Sequence, residues 1–168
     1  LGNCPNLREI NLPSTLESFD PDMFRDCPSL DTITCATGGA FKASGNMLIQ
    51  NETRIVFAGQ GLTGNITVPE GITTIGSAAF KESAMASIAF PSTLAIIESN
   101  AFFKCANLSK INLPESIATI GQSAFSGCKN VKGSLHIPGS VTAIGGYAFS
   151  GLGISELVMD DFAEPSNV

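Results

Sequence analysis

Hydrophobic and polar positions recur along this chain on one fifteen-residue template, found at 10–24, 66–80, 88–102, 111–125 and 135–149. Each copy opens on alternating residues and then proline, as in Ile111-Asn112-Leu113-Pro114. Alternation is the period of a short strand with one buried face. Proline ends that strand, because it brings no N–H to a ladder and restricts the residue before it. Two inward columns result: Ile10, Ile66, Ile88, Ile111 and Leu135, then Leu12, Val68, Phe90, Leu113 and Ile137. A second apolar pair follows, at Leu16/Phe19, Ile72/Ile75, Leu94/Ile97, Ile117/Ile120 and Val141/Ile144. Each copy closes on phenylalanine eleven residues after its proline, at Phe24, Phe80, Phe102, Phe125 and Phe149. The last four prolines lie 22, 23 and 24 residues apart. That period belongs to stacked solenoid repeats, each burying its apolar face only against its neighbours.

The expected architecture is therefore an α/β repeat solenoid dominated by β-structure. Short strands stack into a sheet, and short helical or 3-10 turns form the other side. The five phenylalanines are expected to make one continuous spine. Glycine follows the second apolar pair in three rungs (Gly76, Gly121, Gly145), suggesting a bend that excludes a side chain. Asp20 and Glu98 take that column elsewhere, so positive φ is not required there.

The whole chain, 1–168, reads as one solenoid that starts and ends in mid-repeat, with Leu1 in the phenylalanine column and Ile154–Met159 opening another rung. Residues 38–64 break the pattern. Met47-Leu48-Ile49 and Ile55-Val56-Phe57 flank Gln50–Arg54, which predicts a β-hairpin on an irregular insertion.

Composition narrows function by exclusion. Charged residues make up 14% of the chain, net charge is −6, and the nine Lys and Arg are scattered singly. No basic stripe exists to neutralise phosphates, which argues against nucleic acid. Nor does any apolar run approach the ~20 residues of a membrane-spanning helix.

Candidate chemistry is sparse. Gly59-Gln60-Gly61-Leu62-Thr63-Gly64 matches G-x-G-x-x-G, but a strand pattern follows where a dinucleotide site needs a helix N-terminus. Cys4, Cys27, Cys105 and Cys128 each stand three residues after the phenylalanine column, and Cys35 lies in an inward strand column. Parallel copies on successive rungs do not converge as zinc ligands must, so they read as buried free thiols. His136, the sole histidine, falls on an outward strand position with no evident relay partner. Asp20, Asp22 and Asp26 lack EF-hand spacing. The sequons at Asn51, Asn65 and Asn107 would matter only in a secreted eukaryotic protein. No catalytic residue, metal site or cofactor is expected.

Leu108 through Cys128 resemble, almost position by position, the BspA-type leucine-rich repeat, L-x-x-I-x-L-P-x-x-[LIV]-x-x-I-G-x-x-A-F-x-x-C. The resemblance covers nearly the whole chain and implies a leucine-rich-repeat horseshoe. It further implies a cell-surface or secreted protein of host-associated bacteria or parasitic protists. Family members are associated with adhesion to host matrix proteins and to other cells, and the family has no defined catalytic residues to carry over.

The expected function is thus a non-catalytic module that binds a protein partner through its outward strand positions, with a passive stalk as the alternative. The candidate face comprises Glu9, Asn11, Lys110, Asn112, Ser134, His136 and Glu156. It holds no aromatic or arginine anchor of the kind that dominates interface energetics.

Overall fold

The computed structural model describes residues 2–160. Its strands, in chain order, are β1 (Glu9–Leu12), β2 (Thr32–Cys35), β3 (Phe41–Ser44), β4 (Met47–Gln50), β5 (Arg54–Ala58), β6 (Gly64–Thr67) and β7 (Thr74–Ile75). There follow β8 (Met85–Ala89), β9 (Ile96–Ile97), β10 (Thr119–Ile120), β11 (Lys132–Ile137), β12 (Ala143–Ile144) and β13 (Gly153–Met159).

The alternating segments pair in parallel, with inward residues in register: Ile10 opposite Ile33 in β1–β2, Ile66 opposite Ile88 in β6–β8, Leu135 opposite Leu157 in β11–β13. They do not form one sheet. Each of the three pairs is a separate two-stranded ladder. Residues 110–114, expected as a strand, form none: beyond the Ser109 N–H bond to the Ala86 carbonyl, no main-chain hydrogen bond joins them to β8 or β11. The spacing before the inward column differs from that of β11 but equals that of β8, so length alone does not set the interruption. Val131 lies four residues before Leu135, whereas Leu108 lies three before Ile111 and Met85 three before Ile88. The extra residue, Gly133, sits in the left-handed region at φ 81°.

The largest sheet is built where only an apolar pair was visible. Strands β7, β9, β10 and β12 stack with Ile75, Ile97, Ile120 and Ile144 in one column. This sheet continues through β5, β4 and β3 to seven strands.

The helical closing turns are not present in most rungs. The one 3-10 helix among the described residues is Pro21–Phe24, where Asp20 Oδ1 accepts the Asp22 N–H at 3.0 Å. In the other rungs the closing segment is a run of overlapping turns with alternating main-chain allegiance. The N–H groups of Ala79, Lys81 and Ser83 turn back to the carbonyls of Gly76, Ala78 and Phe80. Those of Ala78, Phe80 and Glu82 reach the next rung, to Ser99, Ala101 and Phe103, at 3.1, 2.8 and 2.8 Å. The cost is left-handed backbone at Ala78, Glu82, Asn100, Lys104, Ser123 and Tyr147, about 1–2 kcal/mol for each L-residue. Ladder bonds to the neighbouring rung offset it. A helix would spend its N–H groups within its own rung and leave the carbonyls of the next unpaired.

The phenylalanines make two groups rather than one spine. Phe80, Phe102, Phe125 and Phe149 stack with centroids 5.2, 4.9 and 5.9 Å apart. Phe24 instead packs on Phe19 and Phe57, at 5.8 and 5.7 Å. The break is residues 41–58, which fold as a three-stranded antiparallel meander, β3-β4-β5. Both its faces are buried. Met47, Ile49, Ile55 and Ala58 join the core of the later rungs, whereas Leu48, Val56 and Phe57 join the core of the earlier ones. The meander is a wall between two hydrophobic cores.

The glycine column owes its composition to close approach. None of Gly76, Gly121 and Gly145 has positive φ. A Cβ on Gly121 would stand 2.5 Å from the Glu98 carbonyl carbon, and one on Gly145 would stand 2.3 Å from the Gln122 nitrogen. Glu98, in the same column, instead forms a forked ion pair with Arg54 of β5, its Oε2 accepting from Nη2 at 2.6 Å and from the Ser77 N–H at 3.0 Å. The guanidinium bond holds the Glu98 carboxyl below the usual carboxylate range, against partial burial. This clamp spans β7 and ties the meander to the rungs beyond it.

Candidate functional site

All seven candidate side chains are exposed, but they fall into three patches. Glu9 and Asn11 stand on β1, where the Asn11 amide donates to Glu9 Oε1 at 3.3 Å and the Thr34 hydroxyl donates to Asn11 Oδ1. Ser134 and His136 stand on β11, with Glu156 of β13 opposite Ser134. Lys110 and Asn112 lie on the unpaired 110–114 segment, in no ladder with either patch.

His136 has a partner that sequence reasoning missed. Its Nε2 lies 2.7 Å from Asp160 Oδ1, both side chains being about half exposed. The hydrogen bond to Asp160, with that carboxylate's charge and Glu115 assisting, raises the imidazole above its ordinary pKa, against an opposing effect of desolvation. The signal was available only as a rung offset: 24 residues separate the two, close to the repeat period. Because the folded imidazole pKa is raised, the pair's contribution to stability is fully present below about 6.5 and is lost as pH rises through the folded value; it is lost again in acid as Asp160, whose pKa the imidazole lowers, takes up a proton. An NMR titration should show His136 titrating above the free imidazole, and Asp160→Asn should return it to the ordinary range. An unshifted His136 in the parent would refute the pairing.

Beside Lys110 and Asn112 lies the groove that the sequence did not reveal. It has a volume of about 530 Å³ and runs from Asn65 and Thr67 of β6 across Ser87–Phe90 to Lys110, Asn112, Leu113 and Pro114. This size falls within the ~300–1,000 Å³ of ordinary ligand clefts. Lys110 is the one charged residue lining it among the described residues.

The remaining chemical candidates have structural roles. Gly59 and Gly61 pass beneath Leu30, whose carbonyl oxygen would lie 2.2 and 3.0 Å from an added Cβ. The Gly61 N–H donates to that same carbonyl at 3.0 Å, and β6 follows. Asp22 pairs with Arg25 at 2.8 Å. The five cysteines are unpaired; Cys27, Cys105 and Cys128 are buried, Cys4 and Cys35 partly so. The Cys105 and Cys128 thiols donate to the carbonyls of Phe80 and Phe102 at 2.9 and 3.1 Å. The adjacent Cys128 sulfur, together with burial, pushes the Cys105 thiol up, away from the thiolate that nucleophilic chemistry requires. Among the described residues, no group of three or more His, Cys, Asp or Glu could hold a metal, and no helix is long and apolar enough to cross a membrane.

Parallel two-stranded ladders, a stacked phenylalanine row and an open polar front define a leucine-rich repeat solenoid. The chain belongs to the BspA type leucine-rich repeat family, whose pattern matches residues 1–55 and 50–164 in six copies. It is similar to the crystal structure of the pneumococcal vaccine antigen PcpA, with a TM-score of 0.85 and 22% identity over 96% of this chain and 41% of that one. A leucine rich cell surface protein from Faecalibacterium prausnitzii A2-165 is also similar, with a TM-score of 0.80 and 22% identity over 92% of this chain and 48% of that one. A leucine-rich repeat protein from Bacteroides capillosus ATCC 29799 gives a TM-score of 0.64 and 22% identity over 73% of this chain and 99% of that one. The chain thus spans less than half the length of the first two proteins. No curated protein sequence matches it.

Proposed function

We propose that the chain is a non-catalytic protein-binding module of a cell-surface or secreted protein, and that it adheres to host matrix proteins or to other cells. The observation that carries this reading is the front of the solenoid: exposed polar side chains on every ladder, beside a groove of about 530 Å³ and uncovered by any other element among the described residues. Surface placement is supported by the likeness to the Faecalibacterium protein, a cell surface protein, and to PcpA, a vaccine antigen. No membrane insertion or nucleic-acid partner belongs to this reading.

The front lacks a large anchoring side chain. The candidate face is Glu9, Asn11, Lys110, Asn112, Ser134, His136 and Glu156, and interfaces without buried hot spots bind weakly for their area. Purified protein should therefore bind immobilised matrix proteins with affinity on the order of micromolar. Replacing Lys110, Asn112 and His136 together should weaken binding while leaving thermal stability near the parent, since all three face solvent. Binding that survives the triple replacement moves the site away from Lys110, Asn112 and His136. No binding across a broad matrix panel favours a second reading, a passive stalk positioning other domains, which the absence of an anchor residue on the front supports.

A further inference from the structure

We infer that the groove beside Lys110 is a docking site for an extended, acidic peptide segment of a partner protein; this rests on the binding-module reading. Three observations single it out. First, the front ladder is interrupted here. The main-chain N–H groups of Ile111, Asn112 and Leu113 find no main-chain acceptor among the described residues, and β8 has lost its expected neighbour. Such groups are obligatory hydrogen-bonders, and an extended peptide supplies donors and acceptors at the matching spacing, as in recognition by strand addition. A folded, convex partner would not.

Second, the interruption is confined to the front. The second strand of the same rung is fully paired, with Thr119 and Ile120 in register with Ile96 and Ile97 on one side and with Ala143 and Ile144 on the other. The rung is thus kept in the stack by its second strand, and the opening is present without a ligand.

Third, the lining matches an alternating chain. Half-buried Ile66, Phe90 and Leu113 offer apolar contact, whereas Asn65, Thr67 and Asn112 offer polar groups. In a chain of net charge −6 the groove's only charged group among the described residues is a lysine. Its ammonium donates up to three hydrogen bonds and accepts none, which selects a carboxylate on the incoming strand.

The probe is a phage-displayed library of random dodecapeptides, panned on the purified chain, followed by synthesis of the enriched sequences. Enriched peptides should alternate apolar and polar residues and carry Asp or Glu. They should perturb the backbone amides of Ser87–Phe90 and Lys110–Leu113. Lys110→Glu should weaken the selected peptide by roughly tenfold or more, as expected when a charge pair becomes a repulsion. Methylating alternate peptide nitrogens should abolish binding, while a scrambled peptide of equal charge should not bind. The inference is overturned if selected peptides perturb other residues, if Lys110→Glu and N-methylation leave binding intact, or if the groove amides respond to oligosaccharides instead. Binding to a matrix protein that Lys110→Glu leaves unchanged, with no peptide mapping to the groove, would overturn this site and leave the module reading standing.

Discussion

Phe102→Ala is expected to cost about 3–5 kcal/mol of stability, the range for deleting a buried aromatic ring. Phe102 is fully buried and sits mid-stack, stacked on Phe80 and Phe125, with the Phe90 ring tilted 68° to it and 5.8 Å away. Its neighbours cannot collapse into the space, because the main chain on both sides is tied by ladder bonds: Phe80 N–H to Ala101 at 2.8 Å and Phe102 N–H to Ala124 at 2.7 Å. The cavity should therefore persist, and unfolding should lose cooperativity. Hydrogen exchange should show opening concentrated in residues 85–130, with the rungs before the meander protected as in the parent. Uniform deprotection along the chain, or a change below about 1 kcal/mol, would contradict a stack whose rungs couple only to their neighbours.

Phe57→Ala should be comparably costly, again about 3–5 kcal/mol, but it should loosen the opposite end. Phe57 packs against Phe19 and Phe24 with centroids 5.4 and 5.7 Å away, in the core that holds Ile10, Leu30 and Ile33. On the same strand Ile55 faces the other core. Exchange should accelerate in the rungs between residues 2 and 35 and in β3, while Phe80 to Phe149 stay protected. If the two variants give the same exchange map, the meander does not separate two cores. If Phe57→Ala leaves the early rungs unchanged, the wall is not what supports them.

The period of the chain was enough to read the rung. Ile10, Ile66, Ile88, Ile111 and Leu135 line up inward because a strand with one buried face must alternate, and that alternation is written in side chains. The stacking of Phe80, Phe102, Phe125 and Phe149 follows for the same reason: one apolar residue per rung, at fixed phase, can be buried only against its copies. The glycine column was legible as a place where a side chain is unwelcome, though the neighbour that excludes it was not.

What tertiary structure decided lies between rungs. A two-residue strand such as Ile96–Ile97 has no period to detect, so the largest sheet exists only once the stack brings Ile75, Ile97 and Ile120 side by side. Left-handed backbone at Ala78, Asn100 and Ser123 runs against local preference, and the carbonyls of the next rung impose it. Alternation across Met47-Leu48-Ile49 is masked because both faces are apolar, each having its own core to enter. The pairs Arg54–Glu98 and His136–Asp160 join residues 44 and 24 apart, and only the solenoid's turn length makes them neighbours. Residues 110–114 carry a strand's pattern and yet form none, although the preceding rung has the same spacing and β6, with one residue more, still pairs with β8 through a register shift at Gly64/Asn65. Pairing is a property of two chains in register, and no single segment records it.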